Sequence, residues 1–209
     1  MANLLAPFFM GFVSSAALII AIGAQNLFVL RQGLRREHVV PIVLFCSCAD
    51  ALLIIAGVAG VGALIGAAPH FRMLLTLGGS AFLFWHGVTA LRRLSAANRI
   101  EIGGANGLTL RRAIALTAGF TFINPHVYLD TVLLLGTIGS AQPAASRPIF
   151  AIGAISASAS WFVALGFGAR LLKPLFTRPA AWRALDAIVG VTMLALAGSL
   201  LLRAFHQIG

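Results

Sequence analysis

Apolar residues run along the chain in membrane-length stretches, interrupted by short clusters of turn-forming and basic residues, and nowhere alternate with period two. A helix crosses a hydrocarbon core with roughly 20 apolar residues. The runs predict six spans: Leu5 to Leu30, Val39 to Gly66, Met73 to Leu94, Leu110 to Ile138, Ile149 to Leu172 and Leu185 to Leu202. Strands of a membrane barrel are about ten residues long and alternate in polarity, so this pattern predicts helices. The first span has no Lys or Arg before it and exceeds a signal-peptide core in length, so it is expected to stay in the protein.

Composition agrees with the pattern. Hydrophobic residues make up 60% of the chain and charged residues 10%, a balance that a soluble domain of this size could not bury without large exposed apolar patches. The fold class expected is therefore all-α integral membrane, with residues 1–209 as one transmembrane domain. The net charge of +10 changes this little, because position explains it. Arg31, Arg35 and Arg36 form one group; Arg92, Arg93, Arg99, Arg111 and Arg112 a second; Arg170, Lys173, Arg178 and Arg183 a third. These occupy alternate connections, whereas Arg72, Arg147 and Arg203 fall on the opposite side. The positive-inside rule makes the three groups a cytoplasmic rim beside anionic lipid and puts both termini in the periplasm. Nucleic acid is not an expected partner.

The two halves of the chain show weak internal similarity. At an offset of 111, Gly79, Leu83, Gly87, Leu91 and Arg92 fall on Gly190, Leu194, Gly198, Leu202 and Arg203. At an offset of 101, Gly23-Ala24 of span one falls on Asn124-Pro125 of span four. A repeat with an odd number of spans must reinsert upside down, so the expected architecture is two inverted three-helix repeats with broken helices 1 and 4. Repeat one covers about 1–94 and repeat two about 110–209, joined by a basic connection at about 95–109.

Both matched positions are chemically unusual for lipid. Pro125 has no amide hydrogen and frees backbone groups near Phe120 and Thr121, which neighbouring side chains, water or a ligand must satisfy. Gln25 and Asn26 flank one break, Asn124 and His126 the other. Of the five acidic residues, Glu37, Glu101 and Asp186 belong to the cytoplasmic side, leaving Asp50 and Asp130 deep in spans two and four, where the basic residues Arg111 and Arg112 stand only at the cytoplasmic end of span four. Helical spacing puts His126 and Asp130 on one face, extended by Gly119 and Thr137. A buried carboxylate without a basic neighbour holds a proton or takes a cation from solution, and alternation between the two is the property of a carrier.

Other classes fit less well. Cys46 and Cys48 point in different directions along a helix and so are not expected to form a disulfide. With Asp50 and His126 they offer a ligand set for a divalent-metal exporter, which is the alternative of another class. No nucleophile and base stand together, no phosphate-binding loop occurs and the connections are too short to fold alone, so an enzyme is not expected and no cofactor is required.

Two long motifs carry a resemblance. Gly23-Ala24-Gln25-Asn26-Leu27-Phe28-Val29-Leu30-Arg31-Gln32-Gly33 and Phe122-Ile123-Asn124-Pro125-His126-Val127-Tyr128-Leu129-Asp130-Thr131 are similar to those of basic amino-acid exporters of the LysE/ArgO type. The resemblance extends over nearly the whole chain, including the Asp50 region and Trp161 to Arg170. Related exporters of neutral amino acids carry a Pro-Gly-Pro type break where this chain has Ile22-Gly23-Ala24, which favours the basic-substrate branch and leaves a neutral amino-acid exporter as the alternative within the resemblance. The resemblance implies export of L-lysine or L-arginine across a bacterial inner membrane. In that reading Asp50 and Asp130 take the cationic side chain or a proton. Gln25, Asn26, Asn124 and His126 bind the headgroup, and Gly23, Ala24 and Pro125 are the hinges. Glycine-rich helix faces would permit a homodimer.

Overall fold

The computed structural model describes residues 4–20, 23–60, 69–95, 107–124, 127–172, 174, 176 and 178–206. Every regular element among them is helical. In chain order they are α1 (Leu5–Ile19), α2 (Ala24–Arg35), α3 (Val39–Val58), α4 (Pro69–Ser95), α5 (Leu110–Ala118), α6 (Gly136–Ser140), α7 (Arg147–Gly168) and α8 (Pro179–His206). Between α5 and α6 the chain is wound wider, as π-helix, over Gly119–Ile123 and Tyr128–Leu135, and a 3-10 turn at Ala169–Leu172 extends α7.

Among the described residues, three helices are long and apolar enough to cross a membrane alone: Val39–Val58, Arg147–Leu172 and Ala180–Leu202. A fourth crossing is obtained if α1 and α2 count as one bent span. Large apolar side chains cover the outside, including Leu44, Leu52, Trp85, Val191 and Leu202. Only lipid can cover such a surface at low cost, so this is a multi-pass membrane protein.

The expected first span, Leu5 to Leu30, is not one rod. α1 and α2 meet at 83°, and Gly23 before α2 is extended at φ −108° and ψ 169°. A glycine with no side chain to pack ends the helical path cheaply at that point. The fourth expected span breaks as well, at Asn124, which is extended at φ −86° and ψ 110°. Pro125 and His126 lie outside the described residues, as do Ala21 and Ile22 of the first break. The expected polar stripe has its centre, His126, outside the described residues, and its ends, Gly119 and Thr137, lie on wide winding or just beyond it. A π-helix bonds i to i+5 and so rotates successive side chains away from an i, i+4 face. Gly119 faces the Phe82 ring, whereas Thr137 is exposed and donates to the Leu133 carbonyl at 2.5 Å.

Small residues set how the helices meet. α1 and α7 touch backbone to backbone, because a Cβ on Gly11 would strike the Phe150 carbonyl and one on Gly153 the Phe8 carbonyl. α4 and α8 pack with Gly87 against Leu194 and Gly190 against Leu91. Those pairs run in opposite senses along the two helices, which makes the packing antiparallel. Gly33 of α2 lies against Gly166 of α7, and Gly136 of α6 against Gly57 of α3. An aromatic cluster of Phe28, Phe82, His86 and Phe120 fills the space between α2, α4 and the first wide turn.

At the end of α2 the Arg31 guanidinium donates to Asp186 of α8 at 2.7 Å, with both side chains mostly covered. The pair ties the first half of the chain to the second. Removing it by Arg31→Ala is expected to cost roughly 1–2 kcal/mol, between an exposed ion pair and a buried charge-assisted hydrogen bond. Thermal melting in detergent checks this, and the exchanged pair Arg31→Asp with Asp186→Arg is expected to recover most of the loss.

Candidate functional site

Each break hands a backbone carbonyl to a side chain from beyond it. At the first, Asn26 Nδ2 donates to the Ile19 carbonyl at 2.7 Å, across seven residues. At the second, the Tyr128 hydroxyl donates to the Phe122 carbonyl at 2.9 Å, across six. A carbonyl freed inside a membrane is costly unless paired, so these two side chains hold the breaks in shape. Asn26 is fixed further by the Trp161 indole, whose Nε1 donates to Asn26 Oδ1 at 3.3 Å. The amide expected to bind a headgroup thus has structural partners on both of its polar atoms.

The breaks open on one cavity of about 220 Å³, room for several water molecules. Gly23, Gln25, Asn26, Asp50, Asn124 and Asp130 all line it. Its remaining wall is largely apolar, including Leu18 of α1, Ile54 of α3, Phe162 of α7 and Leu196 of α8. Polar groups from both halves of the chain therefore converge on a site that hydrophobic side chains enclose. Of the other residues singled out by sequence, Ala24 is fully buried at the start of α2. His126 and Pro125 lie outside the described residues, within the same break as Asn124.

Asp50 is buried on α3, with 7% of its surface exposed. The Ser158 hydroxyl of α7 donates to its Oδ2 at 2.7 Å. Among the described residues no Lys or Arg forms an ion pair with it, so its charge is met by a neutral hydroxyl. Asp130 is half-buried in the first turn of the wide helix Tyr128–Leu135, where the positive end of the helix dipole favours a carboxylate. Ser158 and Trp161 were not legible as partners of Asp50 and Asn26, because a serine or tryptophan in an apolar helix carries no signal of its neighbour. Ser15 and Thr131, also on the cavity wall, were missed for the same reason.

Of the metal-binding set, His126 lies outside the described residues, and the two thiols of α3 point apart. Cys46 is buried and Cys48 exposed, as their two-residue spacing on a helix requires. Among the described residues, no three His, Cys, Asp or Glu side chains come close enough to share a metal ion.

Residues 16–204 match the family described as LysE type translocator. A Mycobacterium tuberculosis protein named "Putative amino-acid transporter" is 45% identical over 178 residues, covering 85% of this chain and 88% of its own length. The arginine exporter protein ArgO of Yersinia enterocolitica is 41% identical over 191 residues, 91% of this chain and 93% of its own. That of an Enterobacter species is 38% identical over 207 residues, 98% of each. No solved structure matches. With a match that takes in both breaks together with Asp50 and Asp130, the chain belongs to the LysE type translocator family.

Proposed function

We propose that this protein is a secondary exporter of basic L-amino acids, L-arginine or L-lysine, moving them out across the bacterial inner membrane in exchange for protons. The observation that carries the reading is that Asp50 and Asp130, one from each half, line the same cavity. A carboxylate in a low-dielectric interior is neutralised by a proton or by a cation, and an ammonium or guanidinium competes for it with H⁺. That competition couples the two movements. It also answers an energetic need, because pushing one positive charge out against an inside-negative potential costs about 2.3 kcal/mol per 100 mV. Inward movement of a proton cancels the charge moved. Two relatives of high coverage are named arginine exporters, which favours arginine.

The architecture that suits this cycle has six spans in two inverted repeats, about 1–94 and 110–209, joined by 95–109. α4, 27 residues long and so roughly 40 Å, and the broken stretch from Leu110 to Ser140 would supply the further crossings. Helix contacts support the repeat. Gly33 with Gly166 joins spans one and five, and Gly136 with Gly57 joins their expected counterparts, spans four and two. The reciprocal Gly87–Leu194 and Gly190–Leu91 contacts join spans three and six to each other. Matching Gly87 to Gly190 gives an offset of 190 − 87 = 103, nearer to the 101 of the breaks than to the 111 of the glycine pattern. Gly23, Ala24 and Pro125 would then be the hinges on which the halves rock. The arginine groups at alternate connections put those connections in the cytoplasm and both termini outside.

Counterflow in vesicles reconstituted with the purified protein tests the function. Labelled L-arginine is expected to accumulate against unlabelled L-arginine or L-lysine, with L-threonine and a divalent cation inert; accumulation driven only by threonine or by the metal would overturn the reading. Ser158→Ala, which removes the hydroxyl facing Asp50, is expected to slow arginine counterflow roughly tenfold, the usual scale for a hydrogen bond to a charged group. Its melting temperature should move little, since interhelical hydrogen bonds in membrane proteins average about 0.6 kcal/mol.

A further inference from the structure

Two half-helices begin at the cavity, and their starts differ. The wide helix Tyr128–Leu135 carries Asp130 in its first turn, so the chain itself supplies the negative charge that the helix end attracts. α2 has no acidic residue in its first turn and no side-chain cap, its preceding residue being Gly23. The first amides of an α-helix have no intrahelical partners, and the end carries about half a positive charge. Gly23, Gln25 and Asn26 all line the cavity, so this uncompensated end faces it.

Gln25 adds an independent observation. Its residue is 9% exposed, and its Nε2 is buried with no hydrogen-bond partner. Its neighbour on α3 is the Cys46 thiol, a weak acceptor. A buried amide donor left without a strong acceptor is costly to a protein, and the Gln25 residue that carries it lines the cavity.

We propose that the start of α2 and the Gln25 amide form a carboxylate-binding pole, opposite in charge to the pole made by Asp50 and Asp130. This rests on the transport reading above and sharpens it. The guest lies across the cavity with its α-carboxylate at α2 and its cationic end at the aspartates, so a free carboxylate is a condition of transport. Decarboxylated or amidated forms of the same molecule keep the positive charge and lose the group that α2 holds. They are refused although they are more cationic than the amino acid.

Counterflow with the full chain in vesicles separates the two claims. Labelled L-arginine is challenged with unlabelled L-arginine, L-argininamide and agmatine, and labelled L-leucine with L-leucine and L-leucinamide. Arginine is expected to exchange, with argininamide and agmatine at least about 100-fold weaker, because a site built to pair a polar group strongly rejects an analogue lacking it. Gln25→Leu is expected to weaken arginine about tenfold or more, the loss of one hydrogen bond to a charged group, and to narrow the gap between arginine and agmatine. Argininamide or agmatine exchanging as fast as arginine overturns the pole, and needs no variant to be seen. If leucine exchanges and arginine does not, the basic-substrate reading fails alone, and leucinamide then decides the pole: refusal upholds it and free exchange sinks it.

Discussion

Replacing Asp50 or Asp130 with asparagine is expected to reduce arginine counterflow by about 100-fold or more, because removing one member of a buried charge pair costs at least about 3 kcal/mol. The substitution is nearly isosteric. Asparagine at position 50 still offers an oxygen to the Ser158 hydroxyl, which now donates to Asp50 at 2.7 Å, so the folded protein should survive and melt near the wild-type temperature. What disappears is the negative charge in a cavity that both residues line. A role confined to holding helices together predicts the reverse pattern, a lowered melting temperature with counterflow preserved in whatever protein still folds. The two measurements on the same preparation therefore separate carrier chemistry from packing.

The second large effect belongs to the fold. Gly153→Leu and Gly11→Leu are each expected to abolish the folded state, seen as loss of monodisperse protein on extraction into detergent. A Cβ at either position would run into main-chain atoms of the facing helix, Phe8 and Phe12 in one case and Phe150 and Ala154 in the other. Main chain cannot turn aside as a side chain does, so α1 and α7 would have to separate. Lipid provides no hydrophobic force to push them back together, since tails are as apolar as the side chains; close van der Waals packing is what joins helices in a bilayer. By contrast Gly198 has open space around its Cβ position, and Gly198→Ala is expected to be tolerated, with melting and extraction unchanged.

Much of this molecule is legible in its sequence because lipid imposes strict rules. Apolar runs mark helices, so the starts of α3 and α7 fall within two residues of expectation. Polar residues in such runs are rare enough to single out candidates, and of these Gln25, Asp50, Asn124 and Asp130 line one cavity. The breaks were also visible, since Gly23 and Pro125 are poor continuations of a buried helix. Less legible was the way the chain pays for them. Nothing in the local pattern says that Tyr128 would cap Phe122 or that Asn26 would cap Ile19, because such bonds depend on how far each half-helix swings. The π winding beside Asn124 was hidden for a related reason: it conserves composition and changes only the period. Long-range pairs such as Arg31 with Asp186 and Ser158 with Asp50 require the tertiary fold, which one sequence read alone does not supply.

Equilibrium binding of labelled L-arginine to the purified protein, followed as the solution is made more acidic, bears most directly on the idea that a cation and a proton compete for the same buried carboxylates. Arginine should bind saturably at neutral pH, lose affinity as protons are added, and bind no better at any pH to the double variant Asp50→Asn with Asp130→Asn than to protein-free detergent. Saturable binding that ignores acidity and persists in the double variant would contradict the account.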